Sequence, residues 1–150
     1  MTRLAAALAL LTLSAAPAAA GVLRPVEIGR FAHFLDVDSV QRDGATATFR
    51  YLMVTPQDFE AGGEPFWGGW SYMTLDCAAR TADLTGFQSV RVGGVEGPRT
   101  RDDRPGWPIA PASLEAALAD AVCDGQRPWP GPDAAGAEEA VAWGRARLEE

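Results

Sequence analysis

The segment Thr46-Ala-Thr-Phe-Arg-Tyr-Leu-Met-Val54 carries the clearest secondary-structure pattern in the chain. Ala47, Phe49 and Tyr51 alternate with residues on the other side of the backbone, and this period of two predicts a β-strand. Shorter runs with strand character precede and follow it. We predict these further strands over residues 22–28, 31–35, 70–78 and 81–92. Short strands joined by turns indicate an antiparallel sheet.

Three stretches lack this alternation, and we predict that they are irregular. Asp36–Gly44 is polar and ends in an Asp-Gly turn motif. Pro56–Gly69 is rich in glycine, proline and acidic residues, which favours a long loop. Arg99–Arg104 carries charges of both signs, and we interpret it as a solvated loop rather than an anion-binding site.

The periodicity changes towards the C-terminus, where apolar residues recur at helical spacing. They form one face, consisting of Leu114, Ala117, Leu118, Ala121 and Val122. Ser113 precedes this face as a natural N-cap, and Gly125 follows where a helix should end. Prolines then favour a stiff connector, and residues 137–148 are predicted to form a short final helix.

The N-terminal segment, residues 1–20, has the organisation of an export signal. Arg3 supplies the positive charge, Leu4–Leu13 is apolar, and small residues lead to a predicted cleavage site after Ala20. The apolar run is shorter than the roughly 20 residues of a transmembrane helix, which favours a cleaved signal over the alternative of an uncleaved N-terminal anchor. Residues 21–150 contain no further long apolar run, so no span is expected after cleavage. No cysteine follows the site to take a lipid anchor. We predict a periplasmic or secreted protein.

Export affects how the two cysteines, Cys77 and Cys123, are interpreted. In an oxidising compartment an even pair usually forms a disulfide, which for a loop of this length contributes about 4 kcal/mol. A redox-active thiol is the alternative, while metal binding would need further ligands that the spacing does not supply. The bond would join the helix to the strand at 70–78. We therefore predict an α+β fold, a small antiparallel sheet covered by one C-terminal helix and stapled by the disulfide.

Charge and composition argue against several classes of function. The chain has 13 basic and 20 acidic residues and a net charge of −7, which disfavours nucleic-acid binding. The single histidine, His33, lies in an apolar strand between Phe31 and Phe34, and no nucleophile motif accompanies it. We interpret His33 as structural, and we predict no catalytic residue, no cofactor and no enzymatic activity.

A calcium-binding loop is a further hypothesis for the acidic residues Asp36, Asp38 and Asp43. In such a loop Val40 and Gln41 would occupy positions that require an oxygen ligand and a glycine. Carboxylates in this setting more often accept hydrogen bonds from turn amides. We therefore predict no metal site.

The segment Phe66-Trp-Gly-Gly-Trp-Ser-Tyr72 is the most informative candidate for a binding site. Aromatic side chains beside glycines offer flat contact area at low entropic cost, which suits a peptide or a sugar. The candidate ligand-binding residues are Phe66, Trp67, Trp70 and Tyr72. The alternative is that these side chains pack over one end of the sheet, as the core of a small domain requires.

Four motifs, in this order, resemble the surface-adhesin protein E-like family. They are Phe34-Leu-Asp-Val-Asp-Ser-Val-Gln-Arg-Asp-Gly44, Leu75-Asp-Cys-Ala-Ala-Arg80, Trp107-Pro-Ile-Ala-Pro-Ala-Ser-Leu-Glu-Ala-Ala-Leu118, and the closing Val122-Cys123. The resemblance implies an antiparallel sheet joined by a disulfide to a C-terminal helix. It also implies a non-catalytic envelope protein, and some members of the family are adhesins for host extracellular proteins.

Together these features divide the chain into a signal peptide (1–20), an adhesin-like domain (21–125) and a connector with a short helix (126–150). We expect a non-catalytic envelope protein that binds another protein, with extracellular-matrix proteins as candidate partners. The alternative is a periplasmic inhibitor or an accessory subunit of an envelope enzyme.

Overall fold

The computed structural model describes residues 21–150, and the predicted export signal lies outside the described residues. The strands are β1 (Val22–Ile28), β2 (Ala32–Asp36), β3 (Gln41–Asp43), β4 (Thr46–Ala61), β5 (Glu64–Asp76), β6 (Thr81–Arg91), β7 (Val95–Arg101), β8 (Trp107–Pro108) and β9 (Ala134–Ala135). The α-helices are α1 (Leu114–Val122) and α2 (Ala137–Leu148).

The nine strands of the described chain form one antiparallel sheet, as the sequence predicted. Its order is β7-β6-β5-β4-β2-β1-β9, and the short strands β3 and β8 pair with β4 and β6. The predicted α+β fold, with its C-terminal helix and disulfide, is confirmed. Neither helix of the described chain has the length and apolar character needed to cross a bilayer.

The prediction of a long loop at Pro56–Gly69 is wrong, because β4 and β5 continue through it as one hairpin. Gly62 and Gly63 have φ angles of +61° and +80°, which a two-residue hairpin turn with both central φ angles positive requires. Beyond that turn, Phe59 pairs with Phe66 across the strands, and their rings stack at 5.4 Å between centroids. A register shift between Val54 and Phe59 accommodates Pro56, which has no N–H to donate to the neighbouring strand.

The prediction of a loop at Arg99–Arg104 is also wrong in its first half, because Arg99, Thr100 and Arg101 belong to β7. This strand pairs with β6 at one edge of the sheet. Charged residues and proline are common on edge strands because they discourage pairing with another chain. The same composition is typical of a solvated loop, so composition alone did not predict this strand.

The sheet carries a hydrophobic core on each face, as alternation of side chains along the strands requires. One core packs against α1 and includes Leu35, Phe49, Met73, Leu75, Leu118 and Val122. The other packs against α2 and includes Phe34, Leu52, Val54, Trp70, Ala140 and Val141.

Helix α1 is fixed at both ends by features that the sequence predicted. The Ser113 side chain caps its start by accepting a hydrogen bond from the Ala116 amide at 3.2 Å. At its end, the disulfide between Cys77 and Cys123 joins it to the segment after β5. Both cysteines of the chain are therefore paired, as predicted.

Helix α2 lies on the opposite face, which the sequence analysis had left uncovered. It packs on β1, β2, β4 and β9. Gly144 allows close contact, because a Cβ there would stand 2.9 Å from that of Ala32 and 3.1 Å from the Phe34 ring. The preceding strand, β9, pairs with β1 and closes the second edge of the sheet. The part of this face over β5, β6 and β7 is left open beside α2.

Candidate binding site

Three of the four candidate aromatic residues point to the face that α2 partly covers. A bulge in β5 places Trp67 there, where it packs with Trp70 and Tyr72 against the same core. Gly68 makes the bulge possible, since its φ is +150° and a Cβ would overlap the backbone oxygen of Met53. Phe66 is separate from this group and stacks on Phe59 in the hairpin.

Trp70 forms part of the core and is only 4% exposed. The guanidinium of Arg50 lies over its ring, 4.1 Å from the centroid, an arrangement that favours a cation. The same guanidinium pairs with Asp36 at 2.7 Å and with Glu96 at 3.2 Å. Trp70 and Arg50 therefore form a fixed layer at the boundary between the core and the open face.

Burial alone would lower the pKa of Arg50, but the hydrogen bond to Asp36 and the negative charges of Asp36 and Glu96 outweigh it and raise the pKa. The raised pKa means that the guanidinium stays charged under all ordinary conditions.

Tyr72 is half-buried and held by polar contacts on both sides. Its hydroxyl donates to Gln88 Oε1 at 2.6 Å, and Gln88 Nε2 donates to the carbonyl of Gly97 at 2.8 Å. Arg99 lies over the ring, 3.7 Å from its centroid, and pairs with no carboxylate among the described residues. Arg99 also donates to Thr85 Oγ1 at 3.4 Å, and its remaining N–H groups can contact a ligand.

Two adjoining grooves open on this face. The sheet groove has a volume of about 730 Å³ and lies over the centre of the open strands. Its floor includes Thr48, Arg50, Tyr72, Thr74, Thr85 and Arg99. These hydroxyl and guanidinium groups can hydrogen-bond to a polar ligand, and the tyrosine adds an aromatic surface.

The tryptophan groove has a volume of about 480 Å³ and lies between the sheet and the start of α2. Its lining includes Trp67, Trp70, Glu96, Gly136 and Glu138. Gly21, Asp36 and Arg50 border both grooves, which therefore form one continuous depression. Such a depression suits an extended segment of a partner that carries both apolar and polar side chains.

His33 lies on the other face, packed near Tyr51 at 6.0 Å between ring centroids. Its Nδ1 is 3.3 Å from a carboxylate oxygen of Glu27. Burial lowers the pKa of His33 to about 4, although the nearby Glu115 carboxylate opposes the shift. The imidazole is therefore neutral at pH 7, and its contact with Glu27 is not an ion pair there.

Acidification is expected to destabilise the fold through His33. In the unfolded chain the pKa is about 6.5, so between pH 6.5 and 4 the unfolded state binds the proton more readily. The stabilisation is complete above pH 6.5 and is lost as the pH falls towards 4, up to about 3 kcal/mol. Urea unfolding at pH 7 and pH 4.5 should show this loss in the wild type and much less of it in His33→Gln.

Comparing the two proteins cancels the opposite contribution of Glu27, whose pKa is raised by burial and by Glu115. Equal pH dependence in wild type and variant would contradict the burial of a neutral imidazole.

Two of the acidic residues considered as calcium ligands, Asp36 and Asp38, make other contacts in the structure. Asp36 pairs with Arg50, and Asp38 Oδ2 accepts a hydrogen bond from the Val22 amide at 3.1 Å. Among residues 21–150 no group of three His, Cys, Asp or Glu side chains is arranged to hold a metal ion.

Comparison with known proteins places this chain in a family. The sequence profile of surface-adhesin protein E matches residues 24–124, from β1 to the residue after the final cysteine. The chain belongs to the surface-adhesin protein E family. The resemblance carried by the four motifs is therefore confirmed. The matched residues include the aromatic segment Phe66–Tyr72 and end before α2.

Solved structures of Haemophilus influenzae protein E share the fold. Crystal form II matches with a TM-score of 0.55 and 14% identity, over 77% of this chain and 98% of that chain. A second structure gives the same TM-score and identity over 77% of this chain and 92% of that chain. Comparison with curated protein sequences finds no match. At this identity the likeness to protein E concerns the fold.

The sequence analysis identified the aromatic segment of this surface-adhesin protein E domain but missed Arg50 and Arg99. Arg50 follows Phe49 in a strand whose even positions continue with Leu52 and Val54, so a charge on that apolar side was a usable indication. No comparable indication existed for Arg99, because its place over Tyr72 depends on how β7 pairs with β6.

Proposed function

We propose that the protein is an exported, non-catalytic envelope protein that binds another protein through the two grooves. The observation that carries this proposal is the gathering of Trp67, Trp70 and Tyr72 on one open face beside Arg50 and Arg99. Aromatic residues and arginine are enriched at the centres of protein interfaces, where a few of them supply most of the affinity.

The environments of the two tryptophans support different roles for them. Trp70 is buried and stabilises the floor, whereas Trp67 is half-buried at the rim of the tryptophan groove. Trp67 is also held in place, because Thr55 Oγ1 donates to its carbonyl at 2.9 Å. A partly exposed aromatic on a fixed backbone gives up little entropy on binding, which makes Trp67 the proposed contact residue.

Membership of a family of surface adhesins supports the envelope location and a host-protein partner. A disulfide that joins α1 to the sheet is typical of proteins that fold in an oxidising compartment. We therefore propose that this chain is a periplasmic or secreted protein that binds a host protein. Extracellular-matrix proteins are the first partners to test.

The direct test is capture of partners by the purified chain from Gly21 to Glu150. Immobilised protein is exposed in parallel to soluble extracellular-matrix proteins and to envelope extract. Saturable binding of a matrix protein supports the adhesin function. Capture of an envelope enzyme instead would favour the alternative of an inhibitor or accessory subunit, and absence of saturable binding in both arms would contradict the proposal.

Trp67→Ala is expected to weaken binding of the captured partner by about 1–4 kcal/mol, as truncation of an aromatic anchor does. Stability should change much less, because the side chain is already partly exposed. Titration calorimetry or surface plasmon resonance measures the first effect and thermal melting the second.

The matched control is Phe87→Ala, because Phe87 is an aromatic residue with 41% exposure on the opposite face. Equal losses of affinity in the two variants would refute the assignment of Trp67 in the tryptophan groove as the contact residue. A loss for Trp67→Ala that is explained by unfolding would refute it as well.

A further inference from the structure

Asp36 is a buried carboxylate with only one of its oxygens satisfied. The residue is 3% exposed, and Oδ2 accepts from Arg50 Nε at 2.7 Å. Oδ1 is buried and has no hydrogen-bond partner among residues 21–150. A buried polar atom in this state is costly, more so when it belongs to a charged group. Oδ1 therefore needs a donor, and a cationic donor would serve it best.

Gly21 lies directly against that oxygen. A substituent at the Cβ position of Gly21 would stand 3.2 Å from Asp36 Oδ1, which is a hydrogen-bonding distance for nitrogen and oxygen. The peptide group that joins Gly21 to Val22 is held at both of its polar atoms. Its carbonyl accepts from the Gly136 amide at 3.0 Å, and the following amide, of Val22, donates to Asp38.

We propose that cleavage after Ala20 completes the fold, because the new α-ammonium group of Gly21 pairs with Asp36 Oδ1. A signal peptidase adds water across the Ala20–Gly21 bond, so that Ala20 gains a carboxylate and Gly21 a free amine. The amine takes a proton from solvent, since an α-amino group has a pKa near 8. The proposal rests on the predicted export signal and is independent of whether the grooves bind a partner.

The identity of residue 21 suits this role. Once Ala20 is gone, Gly21 can rotate about its Cα–C bond and place its nitrogen at the tetrahedral position that faces Asp36. A larger residue would put its own Cβ 3.2 Å from Oδ1 instead. In the uncleaved chain the same nitrogen is an amide with one N–H and no charge, and Ala20 restricts its direction.

Processing would also change the candidate binding site, because Gly21 and Asp36 border both grooves. The α-ammonium would add a positive charge at this border, where the carboxylates of Asp36 and Glu96 both pair with Arg50. The mature chain would therefore carry a more ordered and less acidic groove than the precursor.

The composition of the chain makes the test simple. It contains no lysine, so in protein that begins at Gly21 the α-amine is the only primary amine. An acetylating reagent at neutral pH then removes this one positive charge and alters no side-chain amine. Protein starting at Gly21 is obtained from a fusion with a protease that leaves glycine as the first residue.

Acetylation is expected to lower the melting temperature of the wild type by about 4–10 °C, as loss of a buried charged hydrogen bond does in a domain of this size. In Asp36→Asn the same acetylation should change it by less than about 1 °C. In the control Asp38→Asn, which leaves Asp36 intact, the full effect should persist. Equal effects of acetylation in all three proteins, or no effect in the wild type, would overturn the proposal.

A second variant covers the case in which Asp36→Asn does not fold. Protein that retains Ala20 as its first residue keeps the terminal charge but displaces it by one residue, or about 3.8 Å. Its melting temperature should fall nearly as far as that of acetylated protein. A melting temperature equal to that of protein starting at Gly21 would show that the position of the charge is unimportant and would refute the pairing.

Discussion

Trp70→Ala is expected to lower the free energy of unfolding by about 3–5 kcal/mol, the usual cost of deleting a core aromatic. Trp70 is 4% exposed and packs against the core beneath α2. Its removal leaves a cavity in the floor of the tryptophan groove and takes away the ring on which Arg50 lies. Urea unfolding followed by far-ultraviolet circular dichroism measures the loss without depending on tryptophan fluorescence.

Two further variants distinguish packing from other causes. Trp70→Phe keeps an aromatic ring under Arg50 and removes an indole N–H that has no partner among residues 21–150, so its cost should be about 1–2 kcal/mol. Trp67→Ala should also cost less than Trp70→Ala. A larger loss for Trp67→Ala would reverse the roles assigned to the two tryptophans.

Replacing both Cys77 and Cys123 by alanine is expected to cost about 2–5 kcal/mol, because the unfolded chain regains the freedom of a closed loop. The structure indicates that α1 would loosen and not detach fully. Arg42 of β3 donates to the carbonyl of Val122 at 2.9 Å and to that of Cys123 at 3.3 Å, and these bonds do not require the disulfide.

The bond itself is checked by thiol titration of the chain from Gly21 to Glu150 in denaturant without reductant, which should detect no free thiol. Two free thiols per chain would contradict the disulfide. Reduced wild type and the double variant should unfold at similar urea concentrations, because both lack the same cross-link. A stable reduced protein would show that the core under α1 suffices without it.

Local patterns along the chain were enough to predict much of the fold. Alternation from Thr46 to Val54 identified the centre of β4, and the Ser113 cap with its apolar stripe identified α1. Export chemistry then made the pairing of Cys77 and Cys123 the expected outcome. Each of these features depends on neighbours in sequence or on a single long-range bond, which is why one sequence sufficed.

The hairpin and the second face depend on contacts that the sequence does not display. Phe59 and Phe66 hold the hairpin through stacking across strands, and the composition around them is that of a loop. The grooves also depend on such contacts, because a bulge turns Trp67 to the face of Trp70 and separate strands supply Arg50 and Arg99. The pairing register of the strands determines both the hairpin and the grooves, and this register is set by the whole sheet.

The residues after the family match, 125–150, show that the segment shared by a family can be shorter than the segment needed for a complete fold. The family match ends at residue 124, yet α2 beyond it shields Phe34 from water and β9 borders β1. A recombinant fragment trimmed to the family boundaries would present a bare apolar sheet face, the kind of surface that leads to aggregation. Fragments for biochemical or immunological work should therefore retain the chain through α2.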